Sequence, residues 1–248
     1  MKLLILTAVA FAGLTQAQWL DYPTKGVPRD AAGKPDGNAP TPRLADGKPD
    51  FSGIWSPDRN FIYDMTDAMK KGDEFPIQPW ALKLAKDRQS EEDPEALCLP
   101  TGVPRLAPYP WSIVQGPKHI YIVFEGNIHS YRQIFMDNRK HSADPNPSWY
   151  GESIGHYEGD TLVIDTIGFN DKSWLDAKGT GHSEDLRIEE RFHRRDFGHI
   201  DLTTTVTDPK TFTKPIVFSV VEELMPDTDL LEHYCQENEK DGVHGAGK

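Results

Sequence analysis

The chain has 248 residues, 39 acidic against 27 basic side chains, a formal net charge of -12 and 37% hydrophobic residues. That excess of negative charge excludes a nucleic-acid binder, whose phosphate contacts need a basic face, and the short apolar run at the start excludes a multi-pass membrane protein. Six Trp, eight Tyr and eleven Phe are enough large side chains for one sizeable core, which excludes wholesale disorder.

Residues 1–17 read as a signal peptide: Met1-Lys2 is a short positive start, residues 3–14 are apolar, and Thr15 and Ala17 place small side chains where a signal peptidase reads. A membrane anchor would need about 20 apolar residues. The expected location is therefore periplasmic or secreted, with a mature chain beginning at Gln18. In an oxidising compartment Cys98 and Cys235 are expected to pair, closing a loop long enough to contribute about 4–5 kcal/mol in the chain-entropy account. Two buried free thiols are the alternative; neither cysteine has the helix start or basic neighbour that would make it a nucleophile.

Residues 18–49 are rich in Pro, Gly, Ala, Asp and Lys and have few large apolar residues after Trp19 and Tyr22, so an extended arm without internal repeat is expected. A single domain follows from residue 50 to 248. Asp50-Phe51-Ser52-Gly53-Ile54-Trp55 predicts a short strand ended by the turn Ser56-Pro57-Asp58. Pro79 can start a helix in which Trp80, Leu82, Leu84 and Ala85 alternate with Lys83, Lys86, Asp87 and Arg88. Prolines then punctuate residues 99–110 too often for sheet pairing, leaving a rim loop.

Beyond Trp111 the pattern has period two, in runs over 112–115, 119–125, 129–136, 148–157, 161–167, 186–194, 199–207 and 216–224, separated by turn residues. This predicts a mainly β fold: an antiparallel meander closing into a barrel with one helix, the alternative being a β-sandwich. Residues 168–185 are a loop insertion whose Phe169, Trp174, Leu175 and His182 suit a lid over an opening.

Two strand faces carry charge among apolar side chains. Asp165 shares a face with Val163 and Ile167, and Glu190 shares one with Leu186, Ile188 and Phe192. If those apolar residues point inward, both carboxylates enter the interior and need a basic partner, for which Arg132 and Arg191 are available. Such groups could be structural ion pairs or the polar end of a binding site. His129, Tyr131 and Gln133 lie on the face opposite Arg132, so only one of the two sets can face inward.

No His-x-x-x-His or Cys-x-x-Cys spacing occurs, so a metal could be held only by histidines from separate strands, such as His129, His156, His182 and His193 with Asp165 or Glu190; none is expected. Gly151-Glu152-Ser153-Ile154-Gly155 matches the nucleophile-elbow string but lies in a β pattern with no following helix. No phosphate loop or dinucleotide fingerprint is present, and no cofactor is expected.

Gly53-Ile54-Trp55 resembles the Gly-x-Trp signature of calycins, the lipocalin-like barrels, although the helix before the main strands departs from the lipocalin order. More extensively, Arg132-Gln133-Ile134-Phe135-Met136-Asp137 with Arg139 and His141, then residues 158–166, then His182-Ser183-Glu184, resemble a family of uncharacterised secreted bacterial proteins. The first resemblance implies a barrel enclosing a small molecule; the second implies no particular activity.

The expected function is a secreted barrel that binds a small amphipathic or aromatic molecule in its interior, oriented by Arg132, Asp165, Glu190 and Arg191, with Trp174 and His182 over the mouth. The alternative is a cofactor-free isomerase, lyase or hydrolase using His156 or His182 as base, Tyr131 as acid, Arg132 against an oxyanion, and Glu190 in the same site. An envelope interaction module is a third class. The partner expected is a small molecule, with no nucleic acid and no membrane span.

Overall fold

The computed structural model describes residues 23–58, 63–105, 109–126, 130–232 and 234–235. The signal peptide, Trp19, Tyr22 and His129 lie outside the described residues. Nine strands follow one another around a closed barrel: β1 (Gly53–Pro57), β2 (Trp111–Gln115), β3 (His119–Phe124), β4 (Tyr131–Phe135), β5 (Glu152–Glu158), β6 (Thr161–Ile167), β7 (Arg187–Arg194), β8 (His199–Thr207) and β9 (Ile216–Leu224). The helix α1 spans Pro79–Asp87, with Pro79 at its first turn as its fixed φ favours.

The barrel answers the alternative of a sandwich, and one feature corrects the meander. Every neighbouring pair is antiparallel except β4 and β5, which run parallel. An odd number of strands in sequential order cannot close antiparallel all the way round, so one parallel pair is required. The linker over 136–151 supplies it by crossing back along the barrel wall before β5 begins. β5 starts later than its period-two pattern suggests because Ser148 instead bridges to Phe169, and Gly151 turns the chain at φ 65°. There a Cβ would lie 2.5 Å from the Ile167 carbonyl oxygen.

The Gly-x-Trp string has a physical basis at the entry of β1. Trp55 is fully buried and its Nε1 donates to the Phe51 carbonyl at 2.9 Å. Gly53, at φ 134°, sits where a Cβ would be 2.6 Å from Leu224 Cδ1. Around the barrel, alternate residues face inward and form one apolar core that includes Trp111, Ile122, Ile134, Ile164, Ile188, Phe192, Val206 and Phe218.

At the end where β1 enters, residues 23–50 fold into two similar clips. Pro28-Arg29-Asp30-Ala31-Ala32-Gly33-Lys34-Pro35-Asp36 and Pro42-Arg43-Leu44-Ala45-Asp46-Gly47-Lys48-Pro49-Asp50 share seven of nine residues. Each closes by the same arginine-to-proline bridge, and in each the arginine donates to the glycine carbonyl, at 3.1 Å from Arg29 and 3.2 Å from Arg43. The arginines then reach outward, Arg29 to Asp227 and Arg43 to Asp160, stapling the arm to two barrel turns. The arm is thus a tandem repeat rather than an unpatterned extended segment. Its two copies are short and separated by a five-residue gap, which a scan for longer periods passes over. Below it Arg194, only 3% exposed, donates to the carbonyls of Asp50, Ser52, Asp196 and Phe197 and lies over the Trp55 ring.

The opposite end is covered by residues 63–105, by the 168–186 loop and by the turn after β8. Cys98 and Cys235 are bonded there, with Cα atoms 5.8 Å apart, so the chain's end is tied to the segment before β2.

Candidate functional site

The β alternation that fills the barrel with apolar side chains also carries ionisable residues inside, among them Arg132, Glu190 and Glu222. Glu190 on β7 follows Ile188 and precedes Phe192 on the inward face, and Arg132 on β4 precedes Ile134. Their pair is bidentate: Nη1 donates to Oε1 at 3.0 Å and Nη2 to Oε2 at 2.6 Å. Nη2 also approaches Ser153 Oγ (3.4 Å) and Thr166 Oγ1 (3.3 Å), and those hydroxyls bond each other at 2.9 Å. Such a pair offsets its own desolvation through its bidentate geometry and the added hydroxyl contacts; Arg132 Nε is left without a partner.

A further interior carboxyl is that of Glu222, on β9, 1% exposed. Trp111 Nε1 donates to its Oε2 at 3.2 Å, while Oε1 has no partner. Burial pushes its carboxyl up to about 8, so it is the neutral acid at physiological pH. Sequence reasoning missed it, although the signal was available: Ile216, Phe218, Val220 and Glu222 alternate on one face just as Ile188, Glu190 and Phe192 do. Val103, Pro104, Trp111, Arg132, Glu190 and Glu222 surround a cavity of about 30 Å³. That is room for a water molecule or two, against the few hundred cubic ångströms of a small-molecule pocket.

A larger space lies on the other side of Arg132. β4 and β5 are paired only at Ile134 with Ser153 and Phe135 with Ile154, and towards the Pro57 end of the barrel they part. The cleft between them measures about 490 Å³, with Tyr131, Phe135, Tyr150 and Glu152 on its walls and Arg132 and Ser153 at its floor. Arg132 and Ser153 are therefore placed between outer cleft and interior, and Arg132 borders both spaces. Tyr131 is exposed, its ring 6.1 Å from that of Tyr121. Burial raises the Tyr150 hydroxyl's pKa, so this group stays protonated as a donor. Burial also works to raise the Glu152 carboxyl, but bonds from Ser142 and His141 outweigh it and hold the carboxyl below its ordinary value.

The structure brings only some of the expected residues together. Arg132 and Glu190 meet inside. Asp165 does not join them: Leu162, Ile164 and Thr166 take the inward face of β6, and Asp165 points outward to Arg187 (2.7 and 2.8 Å) and His141 (3.1 Å). Both faces of β6 carry buried apolar residues, Val163 included, so alternation could not choose. Thr166 goes inward with Leu162 and Ile164, and there its hydroxyl meets Arg132. Arg191 and His156 are also on the outer face, both bonded to Glu158, which is where opposite phase from Glu190 puts Arg191. Tyr131 lines the cleft and not the interior. Trp174, 5% exposed, packs under the Arg88 guanidinium, and His182, 7% exposed, bonds Ser173 in the same loop. Among the described residues no group of three or more His, Cys, Asp or Glu is arranged to hold a metal ion.

No protein-family model matches the chain, and searches of curated proteins and of solved structures return no significant match.

Proposed function

We propose that the chain is a secreted barrel that binds a small aromatic or amphipathic molecule in the cleft between β4 and β5, its acidic or acceptor group directed at Arg132. The observation that carries this reading is the position of Arg132: a guanidinium fixed by Glu190 at the floor of a 490 Å³ cleft walled by Tyr131, Phe135 and Tyr150. The volume falls in the range of small-molecule sites, and a few polar groups among aromatic walls are the usual lining of such sites. The 30 Å³ interior does not accommodate the same molecule, so the site sits in the wall of the barrel and not within it. Export to the periplasm or the medium is part of the proposal; it rests on the leader sequence and agrees with the disulfide.

The test is a titration of benzoate- and phenol-type probes followed by calorimetry. Binding weakened at least tenfold by Tyr131→Ala, an exposed position whose loss leaves the core intact, is expected. Binding unaffected by that change would remove the cleft from consideration. The alternative, a cofactor-free isomerase, lyase or hydrolase, is favoured by one observation. Glu190, paired with Arg132, and Glu222, kept neutral by burial, are two carboxyl groups in different settings on one cavity, and acid–base pairs are built from carboxyl groups in unlike environments. Its test is loss of turnover in Glu222→Gln with the fold retained.

A further inference from the structure

The loop over 168–186 holds a pair of side chains that the binding proposal does not use. Ser173 Oγ lies 2.8 Å from His182 Nε2, and His182 Nδ1 lies 3.0 Å from the Ser183 carbonyl oxygen. A carbonyl oxygen can only accept, so Nδ1 carries the hydrogen. Burial lowers the His182 pKa and keeps the ring neutral, which leaves Nε2 with its lone pair. The Ser173 hydroxyl must then donate to the imidazole. This is the protonation pattern a histidine needs to act as base on a serine, with a backbone carbonyl where other serine enzymes place a carboxylate. Asp208 braces that carbonyl's residue, accepting from Ser183 N at 2.6 Å and from its Oγ at 2.8 Å, and Phe169 meets the imidazole edge-on at 6.1 Å.

What lies over the serine is equally specific. A Cβ at position 102 would be 2.3 Å from Ser173 Oγ, so only glycine fits there, and its backbone covers the hydroxyl. The next two residues, Val103 and Pro104, line the cavity that contains Arg132 and Glu222. Arg105 fastens this loop from the far side by two bonds to Asp93 (2.6 and 2.7 Å) and one to Glu95 (2.9 Å). One short segment, residues 102–105, therefore closes both places, and its withdrawal would expose the serine and the interior polar groups to the same opening.

We infer that Ser173 and His182 form a nucleophile–base pair for acyl transfer from a carboxylic ester, shielded at rest by the Gly102 backbone. In the step, Ser173 Oγ bonds to the ester's carbonyl carbon while its proton passes to His182 Nε2. Collapse breaks the bond from carbon to the alkoxy oxygen, which leaves as the alcohol carrying that proton. Water then repeats the sequence on the acyl-serine and releases the acid. This activity goes beyond the cleft-binding proposal and does not depend on it, since the two sites share no residue.

The experiment uses a fluorophosphonate, whose phosphorus is attacked by an activated serine with loss of fluoride, read by mass spectrometry of the intact protein and of the peptide bearing Ser173. One adduct at Ser173 is expected, absent in Ser173→Ala and slowed at least a hundredfold in His182→Gln. It should form faster in Arg105→Ala, where the covering segment is released from Asp93 and Glu95. Labelling rate against pH should follow an imidazole in wild type and lose that dependence in His182→Gln, which a merely structural hydrogen bond would not produce. Folding of each variant is checked by circular dichroism. No adduct in folded wild type and folded Arg105→Ala, or an adduct that persists in Ser173→Ala, would overturn the assignment.

Discussion

Replacing Glu222 by Gln isolates the strangest charge in the barrel. Its carboxyl titrates at about 8 in the fold and at 4.5 when the chain is open. The folded-state value is the higher one, so the fold takes up a proton, and the stabilisation this gives is complete below pH 4.5. It is lost at about 1.4 kcal/mol per pH unit as the pH rises towards 8, roughly 5 kcal/mol over the whole window. Gln keeps the shape and can accept from the Trp111 indole but has no proton to lose. The two proteins should therefore be nearly equally stable at pH 4.5, and the variant should become the more stable as the pH rises, by several kcal/mol at pH 8. Urea unfolding of both at pH 5, 6, 7 and 8 measures the difference directly, because every other ionising group cancels between them. Trp111 emission should report the same titration in wild type. A stability difference that stays flat across that range would refute the placement of Glu222 as an unpaired buried acid.

Removing only Arg132 should cost about 3–5 kcal/mol, because Glu190 is left buried and unpaired, whereas Arg132→Met with Glu190→Leu should recover most of it; unfolding midpoints that rank the single variant above the double would contradict this. Gly53→Ala should destabilise by about 1–3 kcal/mol, read by thermal unfolding, since the new Cβ meets Leu224 and the backbone is held at φ 134°. Cys98→Ala with Cys235→Ala should lower stability by about 4–5 kcal/mol in denaturant unfolding, and an unchanged midpoint would mean the cross-link does not constrain the open chain.

The strand pattern made a mainly β fold legible, with a barrel preferred over a sandwich, because period two runs clearly through 186–194, 199–207 and 216–224. It made Glu190 legible for the same reason: both its inward neighbours on β7, Ile188 and Phe192, are large and apolar. The failures have separate physical sources. On β6 both faces carry buried residues, so alternation alone does not say that Thr166 turns inward beside Arg132 while Asp165 turns outward to Arg187. Glu222 stood in a pattern as clear as that of Glu190. Its neighbour Glu223, exposed on the other face, makes the pair look like an ordinary charged strand end. The parallel β4–β5 pair was not visible because turn residues do not record direction, yet the cleft exists only where those two strands part. Ser173 and His182 meet through a loop closure nine residues long that no periodicity describes.

The most direct measurement of the central claim is a calorimetric titration of a benzoate-type probe into wild type and Tyr131→Ala, with the cleft's position confirmed by chemical-shift changes on binding. The account predicts saturable binding with shifts at Tyr131, Tyr150 and Ser153, and affinity at least tenfold weaker in the variant. Equal affinity in both proteins, with shifts confined to residues remote from β4 and β5, would contradict it.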